Sequence, residues 1–254
     1  MIALSPEMLG LLAPAFFAGL AVAATHVPLG QEVLKRGIIF IDLAIAQIAA
    51  LGVVVGGVLF HAEGGSLSFI LALLFALAGS ALFGWLERTA PKYQEAFIGC
   101  AFVISASLIL LLLAGDPHGG EEIQGLMAGQ ILWVSWKQVL LATLVYAGVL
   151  LAWFQFQGKR ALLFYALFPV TITLSVQLVG VYLVFASLII PALGAVRFSE
   201  SKQLAVGYAI AVVSILTGLA LSVAADLPAG PTLVCVYAIA AAMPWFFKKA
   251  GVVP

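Results

Sequence analysis

Charge is scarce in this 254-residue chain: Asp, Glu, Lys and Arg together make up 9% of it, where a soluble domain carries about a quarter. The 11 basic and 11 acidic residues cancel, so no net field draws the chain toward nucleic acid or an acidic partner. Cysteine is nearly absent. Cys100 and Cys235 both sit inside apolar runs, which excludes a disulfide framework or a CxxC metal site and leaves buried small hydrophobes as their reading. There is no G-x-x-x-x-G-K-[ST] phosphate loop, so the chain cannot power transport with ATP by itself. Neither an H-E-x-x-H helix nor a buried carboxylate pair is legible, which argues against an intramembrane hydrolase. The histidines, His26, His61 and His118, stand singly, one near the inner end of the first apolar run and two in polar connections; they read as interfacial or solvated.

What the chain has is apolar residues, 64% of the total, and a mean hydropathy of +1.20. About 20 apolar residues cross a bilayer, and such runs fall near residues 9–27, 38–60, 66–86, 95–114, 136–156, 204–223 and 230–247. Leu162 to Val196 is too long for one crossing and short for two. With Gln177 and Gly180 near its middle, it divides into 162–178 and 180–197. The basic residues favour that division: placing Lys35/Arg36, Arg88/Lys92, Lys159/Arg160, Arg197/Lys202 and Lys248/Lys249 on one side gathers 10 of 11 there and leaves only Lys137 opposite. The expected fold is an all-α polytopic transmembrane bundle of about nine spans, N-terminus out and C-terminus in. Eight spans is the alternative, and it would put Arg160 and Arg197 on opposite sides. Met1 to Gly10 carries only Glu7 as a charge, so the first run reads as a retained anchor. With no internal repeat and no soluble stretch, residues 1–254 read as a single transmembrane domain.

The polar connections are few. Gly115 to Lys137 is the longest, its DPHGGEE portion a turn-rich loop and the following LMAGQILWVS a short interfacial helix. His118, Glu121 and Glu122 form its one cluster of metal-like chemistry: a weak entry site, or a plain solvated loop, which is the commoner case. Asp226 to Thr232 reads as a structural hairpin in which proline and glycine break the chain and the aspartate caps a turn. Gly52 with Gly56, Gly125 with Gly129, and Gly79 to Gly84 have the spacing of close helix approach.

Inside the spans the clear ionisable residue is Asp42, about one turn into its helix, with Gln47 the next polar group. Five residues apart, they lie about 140° from each other around a helix. Asp42 is either a pathway residue or the partner of Lys35 or Arg36.

One stretch organises the rest. Gly180 to Lys202, GVYLVFASLIIPALGAVRFSESK, is uncharged up to Val196, meets Pro191, and breaks into the small segment Ala192 to Ala195 before Arg197: a membrane helix that bends against protein and delivers a polar elbow to one face. It resembles the G-x-x-L-x-x-x-L-I-I-P-A-x-x-A pattern of the permeases of zinc- and manganese-importing ATP-binding-cassette transporters. Pro28-Leu29-Gly30, Arg36 and the second span ending in Gly52 resemble that family's P-L-G, R and G-D-A-L-A-H-A-A-L-P-G. Gly129 to Leu132 with Ser135, and Gly218 to Ser222 with Asp226 to Thr232, resemble two further patches in family order. The resemblance implies a permease subunit without a bound cofactor, working as a homodimer in a bacterial inner membrane. A separate ATPase subunit carrying ATP and magnesium would dock on the elbow, through Pro191, Ala195, Arg197, Glu200 and Lys202. A periplasmic metal-binding protein would deliver the divalent ion. Leu43 and Gln47 occupy the family's aspartate and histidine positions, with Asp42 displaced by one, so the implied path runs past Asp42, Leu43 and Gln47 with weaker donors for zinc. An ion-gradient-driven secondary transporter and a non-transporting assembly factor remain the alternative readings.

Overall fold

The computed structural model describes residues 6–60, 66–114, 119–129, 131–156, 158 and 160–247. Among them are ten α-helices and no strand: α1 (Pro6–Arg36), α2 (Ile41–Phe60), α3 (Ser66–Thr89), α4 (Gln94–Leu112), α5 (Gly119–Ala128), α6 (Trp136–Gln155), α7 (Arg160–Val179), α8 (Val181–Ala195), α9 (Glu200–Ala225) and α10 (Ala229–Phe247). Seven are long and apolar enough to cross a membrane, and α8 and α10 supply shorter apolar helices. Each of the nine apolar segments read from the sequence is thus a helix of its own in an all-helical, multi-pass membrane protein. The break between α7 and α8 is one residue, Gly180, whose φ of 80° lies where only glycine rests without strain.

The chain folds as two compact units. The first draws on Met1–Arg36, Ala128–Gly148 and Leu178–Pro254, and so contains α1, α8, α9 and α10. Its helices meet on small residues. A Cβ on Gly30 of α1 would overlap the carbonyl of Leu188 on α8, and one on Gly194 would meet Ile210 of α9 and Ala241 of α10. Gly129 (φ 67°) lies against the backbone of Val179 and Gly180. The second unit, Gly37–Met127 with Val149–Gln177, is built on α2, α3 and α4. Gly52 lets α2 approach the backbone of Leu71 and Ala72 on α3, and Gly79 receives Ile48. The expected close approach at the Gly52 and Gly56 pair is therefore present, whereas nothing lies within 4 Å of a Cβ at Gly125.

Proline is the other organiser. Pro28 sits inside α1 and has no N–H for the carbonyl of Ala24. The Tyr208 hydroxyl of α9 donates to that carbonyl at 2.9 Å. Pro169 sits inside α7 and frees Tyr165 in the same way; Ser80 Oγ of α3 donates to the Tyr165 carbonyl at 2.7 Å. Hydrocarbon offers no water for such groups, so neighbouring hydroxyls take its place.

Several expectations are corrected. The first span does not end near residue 27: with the Ala24 carbonyl that Pro28 leaves free satisfied by Tyr208, α1 runs on to Lys35 and Arg36 in its last turn. Likewise α8 passes through Pro191 to Ala195 without a break, and at Gly194 it lies close to Ile210 and Ala241. Gly119 to Glu122, expected in a loop, opens α5, where the two glutamates suit the positive end of the helix. The LMAGQILWVS segment contributes the end of α5 and a short 3-10 turn over Ile131–Trp133. Cys100 and Cys235 are exposed, not buried: both lie on outer apolar faces, which bilayer hydrocarbon satisfies as well as a protein core does. Asp226 caps backward rather than forward, ending α9 in the left-handed conformation with its N–H on Ser222 O. Ser222 Oγ donates to Leu227 O at 2.7 Å, in keeping with a structural hairpin.

Tyr208→Phe is expected to cost about 1 kcal/mol, and much less in a Pro28→Ala background, where the restored N–H reclaims the Ala24 carbonyl. Thermal unfolding in detergent of the single and double variants measures the coupling. Equal losses in both backgrounds would mean that Tyr208 does not serve the proline.

Candidate functional site

Helix α2 begins where its first turn is pinned from α4. The Phe40 N–H, just before α2, donates to Glu95 Oε1 at 3.3 Å. Asp42 follows in the first turn of α2, fully buried, and neither of its oxygens accepts a hydrogen bond from the described residues. The second Glu95 oxygen is buried and unpartnered as well. Two carboxylates thus stand at the start of one helix, where the helix dipole favours negative charge. Sequence reasoning missed Glu95, since a single acid at the start of an apolar run reads as the edge of a span. Within the first unit Lys35 lies 3.8 Å from Glu200, and Arg36 bonds Glu32 at 2.9 Å.

Gln47 is 4% exposed and points elsewhere, as five residues of helix require. Its Nε2 donates to the thioether sulfur of Met127 on α5 at 3.4 Å. Leu43, one turn earlier on the same face, is half-buried. Asp42 shares its side of α2 with Ile45, Ala46 and Ala49, all buried. Asp42 and Gln47 are thus both buried but turned apart, and only Gln47 is bonded to α5.

In the first unit, buried His26 of α1 and Ser187 of α8 lie 2.7 Å apart, Nδ1 to Oγ. The same hydroxyl lies 3.0 Å from Val184 O, so it donates there while accepting from Nδ1 in one His26 tautomer and donates to Nδ1 in the other. This corrects the interfacial reading of His26. No local signal could have found the contact, because its two members are 161 residues apart. A cavity of about 10 Å³, the size of one water, reaches Ser187, Ile131 and Tyr237.

The elbow is compact. Phe198 N–H donates to Ala195 O at 2.9 Å, Lys202 N–H to Ser199 O at 2.8 Å, and Gln203 Nε2 to Phe198 O at 3.1 Å. Ser199, Glu200, Ser201 and Lys202 are exposed, Arg197 is half-buried, and Pro191 and Ala195 are interior. Of the suggested metal-entry cluster, His118 and the Glu122 side chain lie outside the described residues, and Glu121 is exposed. Among the described residues no three His, Cys, Asp or Glu side chains come together as a metal site.

Residues 8–163 and 158–248 match the profile of the ABC 3 transport family. The chain belongs to that family. Within it, the chain is 26% identical to the high-affinity zinc uptake system membrane protein ZnuB of Haemophilus influenzae, over 89% of this chain and 94% of that one. It is 26% identical to the manganese transport system membrane protein MntC of Halalkalibacterium halodurans, over 88% and 83%. PsaBC from Streptococcus pneumoniae, solved in complex with Fab, shares the fold with a TM-score of 0.74 at 20% identity, over 97% of this chain and 93% of that one. An inward-facing metal-chelate type ABC transporter gives 0.70 at 15% identity, over 97% and 90%.

Stability separates the buried polar groups of this family member into two kinds. Ser187→Ala removes the hydroxyl that pairs with buried His26 Nδ1 and is expected to cost about 1–3 kcal/mol. Asp42→Asn exchanges a buried carboxyl whose oxygens have no donor among the described residues for a neutral amide of the same shape, and is expected to leave thermal stability level or raised. A fall as large as that of Ser187→Ala would show that Asp42 is held by partners the fold needs.

Proposed function

We propose that the chain is the membrane-spanning permease subunit of an ATP-driven importer of a divalent transition metal, of the zinc or manganese type. The observation that carries this reading is the family match along nearly the whole chain, together with relatives named for zinc and manganese transport. Since the chain has no phosphate loop, ATP and magnesium belong to a separate ATPase subunit. Residues 1–254 act as one membrane domain in a bacterial inner membrane, N-terminus out, and two copies enclose the path. A periplasmic metal-binding protein supplies the ion, with His118, Glu121 and Glu122 as the entry point.

The exposed patch Ser199 to Lys202, flanked by Arg197, is the surface offered to the ATPase; Pro191 and Ala195 act behind it by holding α8 against its neighbours. Along the path, Leu43 and Gln47 replace side chains that would bind zinc directly. A glutamine amide, itself engaged with Met127, is a weak ligand beside imidazole or carboxylate, so the ion passes this level loosely held. A second reading, an ion-gradient-driven transporter, draws on the unpartnered oxygens of Asp42 and Glu95.

Reversing the elbow charges, with Arg197→Glu, Glu200→Lys and Lys202→Glu together, is expected to abolish co-purification of the ATPase while leaving the permease folded. Undiminished association would move the docking surface elsewhere. In vesicles holding the complex, wild type is expected to take up zinc or manganese only with ATP, and Leu43→Asp with Gln47→His to bind the metal about tenfold or more tightly. Uptake that needs a proton gradient but no ATPase would favour the second reading.

A further inference from the structure

Helices α3 and α4 both pack chiefly on α2 and touch each other little. Their divergence leaves a groove of about 610 Å³ on the second unit, lined by Leu82, Trp85 and Leu86 from α3 and Phe97, Ala101 and Ile104 from α4. Trp85, Phe97 and Ile104 are about half-exposed, so protein does not cover it. Thr89 is the one hydroxyl in the lining. In a membrane such a slot is filled by apolar matter, because an empty one forfeits dispersion contacts along its walls.

The groove ends at the turn joining the two helices, and that end is cationic. Arg88 lies in the last turn of α3 and Lys92 in the connecting turn. Both are exposed, and neither forms a salt bridge among the described residues. Glu87, the acid of the same turn, is half-buried and otherwise engaged. Lys92 Nζ rides 5.8 Å from the Tyr93 ring centre. Exposed Trp85 and Tyr93 are the aromatic types that settle at headgroup depth.

We propose that this groove is a binding site for one acyl chain of an anionic phospholipid, with its phosphate between Arg88 and Lys92. The dimensions favour a chain over a protein helix. Leu82 to Ala90 covers about 12 Å of helix axis, so the groove has a cross-section of about 50 Å², while a helix 10–12 Å across fills about 80–110 Å². Two cations at one end favour a headgroup with net negative charge over a zwitterion.

Brominated lipids read the contact through Trp85. The full-length chain is placed in phosphatidylcholine vesicles containing a minor fraction of dibromo-phosphatidylglycerol or dibromo-phosphatidylcholine. The Trp85 signal is the difference from Trp85→Phe. The anionic quencher is expected to be about fivefold or more as effective per molecule. Arg88→Gln with Lys92→Gln abolishes the preference, as does Ala101→Phe, which fills the slot with both cations in place. Lys137→Gln, a charge removed from an exposed site elsewhere, leaves it intact. Equal quenching by both lipids in the wild type overturns the site. Quenching by neither means that a second copy or another protein occupies the groove, and overturns it too.

Discussion

Backbone carbonyls that lose their helical partner must find another inside the membrane, and much of this structure is arranged around that need. Prolines within helices are costly in hydrocarbon unless a neighbour donates to the freed oxygen. Tyr208 does so for Ala24, and Ser80 for Tyr165. Each bond ties two helices at a defined height, and the close approach it requires is provided by glycines on the same surfaces: Gly207 beside Val27 in one unit, Gly84 beside Tyr165 in the other. Buried Gln94 extends the second tie, donating to Phe83 O and to the Tyr165 hydroxyl.

Against those satisfied carbonyls, the start of α2 gathers two carboxyls with unpartnered oxygens, where Gln31, Thr173 and Ser214 each leave a single buried polar atom without a partner among the described residues. Asp42 and Glu95 hold buried oxygens without protein donors, a state that packing alone would not maintain, since an apolar residue would cost less there. Such violations of local economy cluster where a protein works rather than where it merely folds. Gln47 differs in kind: its amide has a partner, a thioether, which holds it weakly and can release it.

The number and order of the helices were legible because apolar run length and the spacing of basic residues report directly on membrane crossing. Even the one-residue division at Gly180 could be read, from the charges at either end of the long run. Helix ends were less legible. Pro28 looks like a terminator in a sequence, and only the bond from distant Tyr208 explains why α1 continues through it. Cys100 and Cys235 were misread because lipid-facing and core-facing positions share one composition. His26 with Ser187, and Glu95 with Phe40, depend on contacts between distant parts of the chain, for which no local spacing gives a sign.

The elbow has a mechanical side. Glu200 faces Lys35 near the end of α1, and Tyr208, about 12 Å further along α9, grips α1 again at Ala24. The two contacts are unequal: the Lys35–Glu200 pair is exposed on both sides and screened by water, whereas the Tyr208 bond is partly buried. Pro28 lies between them on α1. A push on the foot of α9 therefore reaches α1 chiefly at Ala24, one turn from that proline, so that it would be spent in bending α1 there.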